Sequence, residues 1–173
     1  ARAVACVAQL SGAITTELIA QAGFELIIVD HENGPGDFFS AANLVRSSVG
    51  AGAHCILRLP CAEHSQVYRA LDAGAEGLLL PQVQSRGEAE AFGALVRKVS
   101  ERTRDDEYLE WRSSPLPPPE AAGGDEDPIP VPRPLVAVEM DPSCTIDVAE
   151  ELLKVEGVDL VFVDPERCLA AGS

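Results

Sequence analysis

The chain has 173 residues, 46% of them hydrophobic, which is enough apolar material for one domain with its own core. A formal net charge of −15 excludes a basic footprint for nucleic acid and argues against docking on anionic membranes. No apolar run approaches the roughly 18 residues of a membrane span. No signal peptide is visible, so the expected location is cytoplasmic. The five cysteines, Cys6, Cys55, Cys61, Cys144 and Cys168, follow neither zinc-motif nor disulfide spacing and read as thiols in a reducing compartment.

In chain order, residues 3–9 read as a strand and 14–23 as a helix closed by Gly23. ELIIVD (25–30) is a continuous apolar run, as a strand buried on both faces requires. Asp37 can cap a helix running to about Val49. HCILRL (54–59) is a third strand, followed by a helix over 63–73 that ends at Gly74. GLLLP (77–81) is a fourth strand and 86–102 a fourth helix. LVAVE (135–139), a helix over 143–156 and DLVFV (159–163) complete the series.

Strict alternation of strand and helix implies a parallel sheet with helices outside. Strand starts fall roughly 22 to 30 residues apart where the repeat is regular, the pitch of a (β/α)₈ TIM barrel. About six β/α units are present, so the expected fold is a partial barrel forming a single domain over 1–173, truncated at its C-terminus. The start at Ala1 without a methionine fits a trimmed or partial chain. An open doubly wound sheet is the alternative, but QLSGAITTE lacks a glycine-rich phosphate loop. Residues 103–134 interrupt the rhythm with eight of the thirteen prolines and an acidic cluster. They read as a disordered or irregular insert in which Tyr108 and Trp111 are candidate anchors. Its PxxP-like spacing is compatible with an SH3 ligand, although proline-rich loops are far commoner than ligands.

Ligands of parallel α/β folds bind at strand C-terminal ends, and several strands here end in reactive groups. VDHENGP (29–35) brings Asp30, His31, Glu32 and Asn33 to one turn, which suits acid–base or metal chemistry as well as a plain capping loop. Arg58 ends an apolar strand and must find an anion, either a substrate or a neighbouring carboxylate. Glu139 is a plausible ligand for a hard cation, or a partner of Arg58. Asp164 and Glu166 follow the sixth strand, as ligands or helix caps. The only lysines, Lys98 and Lys154, lie in predicted helices, which gives a Schiff-base mechanism no support.

AGFELIIVDHENGP, ILRLP, RALDAGAEGLLLPQVQS, VEM and VEGVDLVFVDPE, in that order, resemble the HpcH/HpaI aldolase/citrate lyase family. LDAGAEGLLLPQV is the most specific piece. The resemblance implies a (β/α)₈ barrel that uses Mg²⁺ or Mn²⁺, holds pyruvate or its enolate on the metal, and makes or breaks a carbon–carbon bond. It implies a 2-oxo acid as substrate and assembly as a homo-oligomer. Arg58 corresponds to the enolate-stabilising arginine and Glu139 to a metal ligand. Arg58, Pro81 and Gln82 are the expected substrate-binding residues. Asp30 and His31, with Arg58, are the expected catalytic set, and Asp164 and Glu166 the further metal ligands.

Three positions depart from the family pattern. Asn33 stands where the family has its histidine base, and asparagine cannot serve as a base near neutral pH. His31 lies two residues earlier and shares a side with Asn33 if the strand stays extended. Ala137 replaces a glutamine, and Arg167 takes the slot of the second metal-binding aspartate. Two functions follow: a metal-dependent carbon–carbon lyase, or a degenerate relative kept for binding or assembly, in which Arg167 pairs with Glu139 in place of the metal.

Overall fold

The computed structural model describes residues 4–10, 12–102 and 133–163. Six parallel strands lie side by side in chain order: β1 (Ala5–Ala8), β2 (Leu26–Asp30), β3 (His54–Arg58), β4 (Gly77–Val83), β5 (Leu135–Met140) and β6 (Leu160–Phe162). The helices between them are α1 (Ala13–Gln21), α2 (Phe38–Gly50), α3 (His64–Asp72), α4 (Arg86–Arg102) and α5 (Ile146–Leu152). The sheet curls into a half-barrel with the helices on its convex side, which is a partial TIM barrel. The insert expected over 103–134, with Tyr108 and Trp111, falls outside the described residues except for Arg133 and Pro134.

The apolar runs form central strands because both faces are covered. On the convex face Ile27, Val29, Cys55, Leu57, Leu78 and Val138 pack against the helices with almost no exposure. Burial pushes the Cys55 thiol up to about 12, so it is a packing group rather than a nucleophile. On the concave face Ile28, Ile56, Leu79 and Ala137 form a smaller apolar layer. Two residues further along β2, β3 and β5, the same face presents Asp30, Arg58 and Glu139. The even period of the strand therefore sets three charged groups on one apolar floor.

Element boundaries follow local chemistry. Gly23 closes α1 at φ 96°, where a side chain would be strained. The Asp37 side chain caps α2 by accepting from the Ser40 N–H at 2.9 Å. The last helix is shorter than the 143–156 that periodicity suggests. The Asp141 carboxylate takes the Ser143 N–H at 2.8 Å and holds those residues in a turn, delaying the helix to Ile146. β4 runs beyond residue 81 through a bulge, where its register against β5 shifts between Leu80 and Val83.

The lower ends of the strands are stitched by carboxylates that accept backbone N–H groups. Glu76 takes the Cys55 N–H at 3.1 Å and Asp159 takes the Val136 N–H at 2.9 Å. At Gly77 the strands approach so closely that a β-carbon would lie 3.0 Å from Leu135 and 3.1 Å from Ile56. Gly77→Ala is expected to lower stability by about 1–3 kcal/mol through overpacking, read as a lower urea midpoint with an unchanged slope.

Candidate active site at the upper ends of the strands

Arg58 is the centre of the upper rim. It ends β3 and is almost fully buried. Its Nε and Nη2 donate to one oxygen of Glu139 on β5 at 3.0 and 2.7 Å. Its Nη1 donates to both oxygens of Asp30 on β2 at 3.2 Å and meets Glu32 at 2.6 Å. Burial disfavours the guanidinium charge, but Glu139, Asp30 and Glu32 outweigh it and hold Arg58 above its ordinary value. Three carboxylates thus face one buried cation.

Asp30 is fixed from several directions. Its carboxylate accepts the backbone N–H groups of Glu32 at 3.0 Å and Asn33 at 2.9 Å, which winds residues 31–34 into a tight turn. Gln9, just beyond β1, donates to its other oxygen at 2.9 Å. Burial alone would raise the Asp30 carboxyl. The Asn33 N–H, the Gln9 amide and Arg58 together prevail and hold it below the usual carboxylate range. Gly34 completes the turn because a β-carbon there would overlap the Asp30 carbonyl oxygen.

A cavity of about 700 Å³ opens over this rim. Gln9, Asp30, Asn33, Arg58 and Glu139 line its polar side, and Ile28, Leu79 and Phe162 its floor. The arrangement can receive an anionic group at Arg58 above an apolar base. Asp30, Arg58 and Glu139 therefore come together at one cavity. His31 does not line it. The turn rotates its ring against Phe38, with centroids 5.6 Å apart, and Arg69 stacks on the far partner at 4.4 Å. Burial and the Arg69 charge lower the His31 pKa, which favours the neutral ring. The expectation that His31 shares a side with Asn33 fails because the strand ends at Asp30 and the alternation ends with it.

Pro81 and Gln82 line a neighbouring cavity of about 390 Å³, together with Pro60, Cys61 and Phe92. Gln82 nevertheless reaches the rim, donating to Glu32 at 2.9 Å. Gln9 was not singled out by sequence reasoning. Its only signal is that it is the first polar residue after the first strand run. Asp164, Glu166 and Arg167 lie outside the described residues, so the Arg167–Glu139 contact falls there too.

A hard divalent ion needs several oxygen ligands. Among the described residues no three His, Cys, Asp or Glu side chains form a metal-binding group. Glu139 offers one carboxylate, and Arg58 already donates twice to it. The described donors do not by themselves fit a metal centre.

The depressed Asp30 titration has a defined sign. A carboxylate with a lowered folded-state pKa contributes stability that is present above its unfolded value, near 3.8, and is lost as pH falls through the lower folded value. Asp30→Asn is expected to be less stable than the native chain at neutral pH. The gap should narrow as the solution is acidified below the ordinary carboxylate range, as measured by urea unfolding across pH.

The chain is similar to several known aldolases. A chain from Roseovarius nubinhibens described as a hydroxypyruvate/pyruvate aldolase is 30% identical over 168 residues, covering 95% of this chain and 63% of that one. A 5-keto-4-deoxy-D-glucarate aldolase from Salmonella arizonae is 26% identical, covering 97% of this chain and 64% of that one. The chain thus spans less than two thirds of these curated relatives. The crystal structure of an HpcH/HpaI aldolase/citrate lyase family protein from Burkholderia cenocepacia J2315 shares the fold, with a TM-score of 0.72 and 22% identity over 98% of this chain and 66% of that one. Aldolases of this family are generally dependent on divalent metals. The family model matches residues 5–170, and the chain belongs to the HpcH/HpaI aldolase/citrate lyase family.

Proposed function

We propose that the chain carries a carbon–carbon lyase site that cleaves a 4-hydroxy-2-oxo acid to pyruvate and an aldehyde. The observation that supports this reading best is Arg58, buried at the end of a central strand and lining the 700 Å³ cavity. A fixed guanidinium in a largely desolvated site stabilises negative charge far better than one in water.

In this reading Arg58 takes the C2 oxygen and carboxylate of the bound 2-oxo acid. Asp30, held ionised against the cavity, accepts the proton of the C4 hydroxyl. The C3–C4 bond then breaks, its electron pair moves to form the enolate, and the C2 oxygen gains charge beside Arg58. The C4 fragment leaves as an aldehyde. Return of the proton from Asp30 to C3 gives pyruvate, so the carboxylate is regenerated. Gln9 keeps Asp30 oriented. Asn33 lines the cavity as a hydrogen-bond donor, not as a base. His31 stays in the proposal as a neutral ring beside Asp30 in sequence, with Phe38 fixing its plane.

Mg²⁺ or Mn²⁺ is the proposed cofactor, which Glu139, Asp164 and Glu166 would hold, and it would supply further positive charge to stabilise the enolate. No step above is routed through it. Pro81 and Gln82 are assigned to the acceptor side of the substrate, because they border the cavity next to the rim. Self-assembly is proposed from exposed apolar residues on the two edge strands, including Val7 of β1 and Leu160 of β6. Four free thiols among the described residues support a reducing compartment such as the cytoplasm. No helix among the described residues is long and apolar enough to cross a membrane.

The full occupation of Arg58 by carboxylates favours a second reading, a family member that binds without turnover. Pyruvate release from oxaloacetate and from a panel of 4-hydroxy-2-oxo acids separates the two, assayed with Mn²⁺ and with chelator. The lyase reading expects metal-stimulated release that falls roughly 10²–10³-fold in Arg58→Met and is lost in Glu139→Ala. No release from a folded native chain would overturn it in favour of the second.

A further inference from the structure

Arg58 is the cation that the proposed function needs, yet carboxylates already surround it. They are not held alike. Asp30 receives two backbone N–H groups and the Gln9 amide besides Arg58, and its side chain is 2% exposed. Glu139 stands on a central strand, takes two donors from Arg58 and is 10% exposed. Glu32 lies in the turn beyond β2, is 16% exposed and reaches Arg58 from the rim. Its other partners are side-chain amides: Gln82 donates to one oxygen at 2.9 Å and Asn33 to the other at 3.0 Å. Of the three carboxylates, Glu32 can leave with the least disturbance to the strands.

Gln82 supplies an independent observation. Its φ is 57°, the left-handed region that a residue with a β-carbon enters only at a cost. It sits in the bulge where the β4–β5 register slips. Strain of this kind persists where surrounding structure over-determines it, and it clusters where a side chain has to be aimed. Here it aims the Gln82 amide across the rim at Glu32.

We propose that Glu32 is an internal competitor for the anion-binding face of Arg58, clamped by Gln82, and that a 2-oxo acid binds by displacing it. The inference rests on the reading of Arg58 given above. Exchange of one carboxylate for another gives little net gain. A 2-oxo acid brings its C2 oxygen as well as its carboxylate to Arg58, whereas Glu32 and a simple monocarboxylate bring a carboxylate alone, so the 2-oxo acid is the better competitor. Glu32 therefore selects 2-oxo acids and their planar dianionic mimics over simple monocarboxylates.

The test is calorimetric titration of oxalate, with acetate as the simple carboxylate, into the full chain and into Glu32→Gln, Gln82→Ala and Arg58→Met. Folding of each is checked by circular dichroism. The native chain is expected to bind oxalate and not acetate, and Arg58→Met to bind neither. Glu32→Gln should bind oxalate about tenfold more tightly, because an ion pair becomes a neutral hydrogen bond. Gln82→Ala keeps every charge but frees Glu32, and should also tighten binding, by a smaller factor. Unchanged or weaker binding by Glu32→Gln, with native binding still dependent on Arg58, overturns the competitor and leaves the reading of Arg58 standing. Tightening in Glu32→Gln without any in Gln82→Ala reduces the effect to lost negative charge and overturns the clamp. Absence of binding in every folded variant overturns the reading of Arg58 and this proposal with it.

Discussion

The upper rim depends on one buried cation. Arg58 cannot shed its charge, and an unpaired guanidinium in a protein interior is far costlier than one in water. The fold meets that demand from both sides, with Asp30 from β2 and Glu139 from β5. Those two strands are not neighbours in the sheet, so the ion pairs tie across its curvature. Each carboxylate is in turn unfavourable to bury alone. Removing Arg58 leaves its carboxylates in a largely buried site without their cation.

Both ends of the sheet carry carboxylates that accept backbone N–H groups and also meet side-chain donors. At the lower end Glu76 accepts the Cys55 N–H and meets His54, and Asp159 accepts the Val136 N–H and pairs with Arg133. At the upper end Glu139 faces a side-chain cation, whose partner can be exchanged for a ligand without unravelling a ladder. The lower contacts hold strand backbones together, while the upper ones border the cavity.

The architecture was legible because buried parallel strands write themselves as unbroken apolar runs, and ELIIVD and GLLLP admit little else. Asp30, Arg58 and Glu139 stood out for the same reason, as charges closing such runs. The pairing of Glu139 with Arg58 was one reading the sequence offered, but that all three converge depends on register: Asp30 is level with Arg58, while Glu139 is level with Phe162 one strand beyond. His31 shows the limit of alternation. The rule of opposite sides holds only while the backbone is extended, and the Asp30 carboxylate itself folds the next residues into a turn. The left-handed backbone of Gln82 could not be foreseen, because nothing in PQV announces it.

The connection from α4 to β5 shows how little the fold depends on what lies between its units. It runs for 32 residues, 103 to 134, against four between α1 and β2. Yet Leu135 pairs with Gly77 and Val136 with Leu78, as if the link were short. Loop closure grows only with the logarithm of length, about 0.6 kcal/mol per doubling, so an eightfold longer link costs about 2 kcal/mol. Interlocked side chains on two central strands offset a penalty of that size. The α4–β5 junction is thus a place where sequence can lengthen, turn over or acquire new motifs without moving a charged residue on the rim.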